Sequence, residues 1–139
     1  MEHMPKDFKS LCKLCIAKCE ACIDSCQKVT TICAIPTAQE CPEQIGKNVR
    51  ACRECIETCK KCIEESSVHM KQCDDKYCQK ACTDLVNSCK ELIEACQSSI
   101  DKCKADNVEC LESSNICIKK SMECAQACQN CINVMIDKK

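Results

Sequence analysis

Eight cysteines, Cys82, Cys89, Cys96, Cys103, Cys110, Cys117, Cys124 and Cys131, follow one another at intervals of seven residues. A step of seven returns a side chain to the same stripe of a slightly underwound α-helix, the stripe that normally faces a partner helix. Thiols therefore stand where Leu or Ile usually form the seam. Denser versions occur at Cys12, Cys15, Cys19, Cys22 and Cys26, with Cys33 one heptad beyond, and at Cys52, Cys55, Cys59 and Cys62. There the alternating step of three and four fills both seam positions. Side chains three or four apart on a helix have Cβ atoms about 5–6 Å apart, so their sulfurs can reach one ion.

In total 22 of the 139 residues are cysteine, about as many as Leu, Ile and Val together. Aromatic residues are limited to Phe8 and Tyr77. A neutral thiol packs as a small hydrophobe, so an apo core is expected to fold, with Ile16, Ile23, Ile56, Ile63, Leu85, Leu92, Ile118 and Ile132 supplying bulk. A chain of this length is read as a single domain. The formal charge is −1 and charges of both signs are interspersed, the signature of a solvated helix exterior rather than of a nucleic-acid or anionic-membrane surface. No stretch approaches the roughly 20 apolar residues of a membrane span, and the first residues lack the apolar run of a signal peptide. A cytoplasmic protein is expected, with export the alternative if a signal peptide has been removed.

Four helices are expected, at about 5–35, 42–67, 74–104 and 106–136. Pro5 suits a first helical position, and Pro36 stops the first helix because the residue before proline avoids the α region. The second starts at Pro42 or as late as Asn48, since Gly46 weakens its first turns. Ser66 to Asp74 reads as a polar link, after which Asp74 or Asp75 caps the third helix. The heptad runs without a slip from Cys103 to Cys110, yet one helix to the C-terminus would span roughly 90 Å, far beyond what the first two could cover. The break is therefore placed at Ala105-Asp106-Asn107, where Asp106 with Glu109 fits a capping box.

The segments look like copies of one unit. Cys12-x-x-Cys15-Ile16-x-x-Cys19-x-x-Cys22-Ile23 matches Cys52-x-x-Cys55-Ile56-x-x-Cys59-x-x-Cys62-Ile63 at every Cys and Ile, and Cys124, Cys128, Cys131 and Ile132 repeat its second half. Cys78 and Cys82, followed by Leu85, do so again. A unit that cannot bury its apolar face alone, repeated four times with short links, predicts an all-α, antiparallel up-down-up-down four-helix bundle with a Cys-lined core.

The habitual reading of such a composition is a disulfide scaffold. Those scaffolds are loop-rich, whereas this chain has one Gly and a helical cysteine period, and the cytosol keeps thiols reduced. Reduced thiols select soft ions: Cu(I), Zn(II) or iron–sulfur clusters. No compact cluster-binding run such as C-x2-C-x2-C-x3-C-P occurs. An all-thiolate zinc site would place −2 inside an apolar bundle. Cu(I) clusters that share sulfurs approach neutrality, which suits a buried tube of sulfur. No nucleophile–His–acid arrangement, phosphate loop or H-E-x-x-H points to catalysis, and the chain is not expected to be an enzyme.

The pairs Cys15/Cys19, Cys22/Cys26, Cys55/Cys59, Cys78/Cys82 and Cys124/Cys128 are C-x3-C units spread over all four helices. In this the chain resembles the bacterial copper storage proteins, Cys-rich four-helix bundles that hold many Cu(I) ions in the core. The resemblance implies storage or detoxification of multiple Cu(I) ions, a homo-oligomer such as a tetramer, exchange with a copper chaperone or chelator, and His or Met at the point of entry. The alternatives are a Zn(II) or Cd(II) thiolate buffer of metallothionein type and an exported, disulfide-rich interaction protein. The expected ligands are Cys12, Cys15, Cys19, Cys22, Cys26, Cys33, Cys52, Cys55, Cys59, Cys62, Cys78, Cys82, Cys89, Cys96, Cys103, Cys110, Cys117, Cys124, Cys128 and Cys131. The sequence leaves open whether Cys41, Cys73, His69 and Met70 join them. Antiparallel order collects His3, Met4, His69, Met70 and Met135 at one end, beside the densest cysteines, and leaves the other with sparse thiols such as Cys33, Cys41, Cys103 and Cys110. Entry at the first end is expected.

Overall fold

A computed structural model describes residues 7–35, 39–105 and 107–137. It contains four helices, α1 (Phe8–Ile32), α2 (Cys41–Gln72), α3 (Lys76–Ala105) and α4 (Asn107–Asp137). Each packs on its chain neighbours and α1 closes on α4, while the diagonal pairs α1/α3 and α2/α4 make no backbone approach among the described residues. The molecule is the expected four-helix bundle. The ends of its helices differ from the sequence reading in instructive ways.

Helix α1 begins at Phe8, because the Asp7 carboxylate accepts the Ser10 backbone N–H at 2.7 Å and so satisfies an otherwise orphaned donor. Pro5 lies outside the described residues. The helix ends at Ile32 rather than Ile35, with the Cys33 N–H bonded back to the Val29 carbonyl. Helix α2 starts at Cys41 and places Pro42 in its first turn, where a missing N–H costs nothing. Gly46 does not interrupt it: the flanking Gln44 and Asn48 are buried, and that packing outweighs a weak propensity. At its other end α2 runs on to Gln72, so the supposed polar link from Ser66 is helix, with Ser66 fully buried. The true link is three residues long, and Asp75 caps α3 by accepting the Tyr77 N–H at 3.0 Å. The break between α3 and α4 falls where expected, although Asp106 itself, and with it the proposed capping box, lies outside the described residues.

All 22 cysteines are buried, most of them completely. They occupy the bundle axis, with Leu11, Leu85 and Leu92 packed among them and Ile16, Ile63 and Ile118 half-buried at the flanks. Leu11 and Val29 complete the apolar set and were not among the residues expected to supply bulk; Ile23 is only half-buried. Surface pairs Lys18–Glu54 (3.1 Å) and Lys120–Glu91 (2.9 Å) join α1 to α2 and α3 to α4. Such exposed pairs contribute at most about 1 kcal/mol each. The core, not the surface, sets the register.

Candidate metal centre

The register can be read from the sulfurs. Cys15, Cys59, Cys89 and Cys124, one from each helix, bring their sulfurs within 4.8 Å of one another. Exactly one heptad along every helix, Cys22, Cys52, Cys96 and Cys117 form a second such ring. In the first ring Cys124 lies 3.9 Å from Cys15 and 3.7 Å from Cys89. In the second, Cys22 lies 3.4 Å from Cys117, 3.9 Å from Cys96 and 4.0 Å from Cys52, and Cys96 lies 3.6 Å from Cys117. Seven residues of helix place the rings about 10 Å apart.

The C-x3-C pairs fill that interval and extend it. Cys19, Cys26, Cys55 and Cys128 neighbour ring members on their own and adjacent helices and perturb their protonation. Cys12 neighbours Cys128 and Cys131, and Cys131 neighbours Cys82, carrying the column outward from the first ring. Cys78 and Cys73 continue it to the end of the bundle. The sequence pairs cysteines along one helix, whereas the structure assembles them across four, and the C-x3-C partner is the step from one level to the next.

Burial withdraws these thiols from water and disfavours their charged form. Their mutual hydrogen bonds then divide the protons unevenly. In the first ring, hydrogen bonds from Cys124 and Cys128 hold Cys15 far below the ordinary thiol range, and those from Cys128 hold Cys124 down at about 2. Cys59 and Cys89, beside Cys124, are pushed up. The second ring repeats the division: Cys22 is lowered by Cys117; Cys117 itself, raised by Cys22 but lowered more by Cys26, Cys52 and Cys96, lies at about 5; Cys52 and Cys96 are raised by Cys117. Nearer the end, Cys128 brings Cys12 down to about 6, whereas burial takes Cys78 up to about 12. Within the two rings, the lowered thiols lie on α1 and α4 and the raised ones on α2 and α3, and among the described residues no Lys or Arg is buried to balance a charge.

A third group, His69, Cys73 and Cys78, brings three donor atoms within 4.8 Å where α2 passes to α3. His69 is on the helix, not in a loop, and stacks on Phe8 with ring centroids 4.9 Å apart. Met70 and Met135 pack against the same end of the core, and the Thr83 hydroxyl donates to the Met70 sulfur at 3.4 Å. His3 and Met4 lie outside the described residues. Comparison with protein-family models, with curated proteins and with solved structures found no match. The geometry alone carries the reading: buried thiols grouped in fours, able to hold metal ions.

Three expected ligands belong elsewhere. Cys33 is joined to Cys41, and Cys103 to Cys110, in disulfides whose Cα atoms lie 5.0 and 4.2 Å apart. Each pair lies across a link between two helices, and the sequence reading, which assigned Cys33, Cys103 and Cys110 to the metal, did not foretell the pairing. In this form they are not thiolate ligands. A polar layer separates them from the second ring. Asn48, 1% exposed, accepts hydrogen bonds from the Ser25 hydroxyl at 3.0 Å and the Cys26 thiol at 3.2 Å, and Ser99 and Ser113 are buried nearby in the same turn of the bundle. Sequence reasoning missed Asn48 because a polar residue beside Gly46 looked like a helix start.

Proposed function

We propose that the protein stores or sequesters multiple Cu(I) ions on the thiols of its bundle axis, as a metal-handling protein and not as an enzyme. The observation that supports this is the continuity of the column. Two four-thiol rings alone would suit tetrahedral zinc as well as copper, since sulfur separations of 3.4–4.0 Å fit either. Zinc in the rings would leave Cys12, Cys19, Cys26, Cys55, Cys62 and Cys128 without a metal and would place two dianionic centres about 10 Å apart with no buried cation beside them. Cu(I) ions bridged by shared thiolates use the intervening cysteines and keep the column near neutral. The likeness of the C-x3-C pattern to the bacterial copper storage proteins points the same way.

Entry is assigned to the end that holds His69, Met70, Cys73, Cys78 and Met135. There a mixed nitrogen–sulfur set meets solvent, and ions then pass inward by exchange between thiolates a few ångströms apart. The reduced thiols this requires suit the cytoplasm, and a copper chaperone or small chelator is the expected source; a homo-oligomer, such as a tetramer, is the expected assembly. Native mass spectrometry after anaerobic Cu(I) titration against a chromophoric competitor tests the reading. Many ions per chain are expected. Fewer than about six, or a preference for Zn(II) at matched free-metal levels, would defeat it in favour of a zinc or cadmium buffer.

A further inference from the structure

The two disulfides have a common geometry. Cys33 caps the C-terminal end of α1, Cys41 opens α2, Cys103 lies in the last turn of α3 and Cys110 in the first turn of α4. Every helix therefore contributes one cysteine to this end of the bundle. The four cluster around Val29, with Ile45 and Leu111 against them, apart from the main core. One heptad beyond the second ring, the register places Val29, Ile45, Cys103 and Cys110 on one level, and Cys33 and Cys41 lie one turn further out on their helices. One cysteine from each helix also builds each open ring, but here the four lie in two pairs about one turn apart.

We infer that these four residues are a latent third soft-metal ring, masked in the oxidised protein as two disulfides and opened by reduction to bind Cu(I). The inference rests on the copper reading of the column. The bridges lie nearer the surface than the rings, since Cys33, Cys41 and Cys103 keep 4%, 8% and 6% exposure and Cys110 none, whereas all eight cysteines of the open rings have none. A small dithiol can therefore act here. It gives two electrons to each S–S bond; the bond breaks, two protons are taken up, two thiols form, and the reductant leaves as its own disulfide. Cu(I) binding then releases one proton for each thiolate it recruits. The layer of Ser25, Asn48, Ser99 and Ser113 keeps this site separate from the column, so its occupancy follows the thiol state of the end and not the filling of the rings.

Thiol counting in denaturant and anaerobic Cu(I) titration of the whole chain test this together. The air-equilibrated protein should show 18 free thiols and the protein treated with a dithiol 22. Cu(I) bound per chain should rise on reduction, and the rise should vanish in the Cys33→Ser/Cys41→Ser/Cys103→Ser/Cys110→Ser variant, which should load like the oxidised protein and match its helical circular dichroism. Equal capacity before and after reduction, a rise that survives in the variant, or 22 thiols in the air-equilibrated protein overturns the inference while leaving the column reading intact. A chain that takes up no Cu(I) in either state overturns both. Should the variant not fold, the comparison of oxidised with reduced protein still decides.

Discussion

Asn48 shows how a single residue divides this core. Its side-chain oxygen serves the Ser25 hydroxyl and the Cys26 thiol, and it sits where the column of open thiols ends. Replacing it with Leu removes the acceptor and strands a buried hydroxyl, so Asn48→Leu should lower apo stability by about 1–3 kcal/mol in urea unfolding. The opposite holds at Ser114 and Ser121, whose buried hydroxyls have no partner among the described residues. Ser121→Ala removes an unsatisfied group and should leave the apo bundle equally or more stable, by up to about 1 kcal/mol. The thiols add a pH dependence that has one sign above the free-thiol range, because the lowered Cys15, Cys22, Cys117 and Cys124 are then ionised in folded and unfolded chain alike. Cys59, Cys89, Cys96 and Cys128 are raised by their neighbours and keep their protons in the folded chain, whereas free thiols ionise near pH 8.5. Above that pH the unfolded chain binds fewer protons than the folded one, so apo stability should fall as pH rises, by about 1.4 kcal/mol per pH unit for each such thiol. Thermal melts between about pH 9 and 11 under anaerobic conditions measure it; a flat or rising melting temperature there would contradict the protonated assignment.

At the scale of the helix, the sequence made the elements legible because period and packing coincide. The heptad of cysteines marks the buried stripe of α3 and α4 just as leucines would, and the four segments follow from it directly. Boundaries were harder wherever a local preference conflicted with tertiary burial. Gly46 and the polar run from Ser66 both looked like breaks, and both are helix because their neighbours, Asn48 in one case and Ser66 itself in the other, are packed inside. Gly46 has a helical backbone, and a Cβ added there would meet nothing within 4 Å. Gly46→Ala should therefore stabilise the protein by about 0.5–1 kcal/mol, chiefly by restricting the unfolded chain. Leu85 and Leu92, fully buried on α3, supply volume that thiols cannot. Leu85→Ala should cost about 2–5 kcal/mol of apo stability, read from chemical denaturation.

Across the whole molecule the identity of the site was legible and its grouping was not. Nearly every cysteine of the buried column could be placed on the core from spacing, but which cysteines share a level depends on link lengths, and a link shorter by one residue would offset the rings. For the same reason the pairing of Cys33 with Cys41 and of Cys103 with Cys110, each across a link, could not be read from spacing. The antiparallel order did reveal that the two ends differ. Replacing Cys12, Cys62, Cys78 and Cys131 with Ser should slow Cu(I) loading more than replacing Cys22, Cys52, Cys96 and Cys117 of the inner ring, since Cys33, Cys103 and Cys110 are bridged, measured by stopped-flow competition with a chromophoric chelator; equal rates would remove the directional claim.

The positions of the two covalent bridges also determine where the bundle breathes. They tie α1 to α2 and α3 to α4 at one end, closing loops with sequence separations of only 8 and 7. The opposite end holds the start of α1, the last turns of α4 and a three-residue link. At the base the bridges limit how far neighbouring helices can part, whereas the far end is held by side-chain packing alone, like a zipper stitched at its foot.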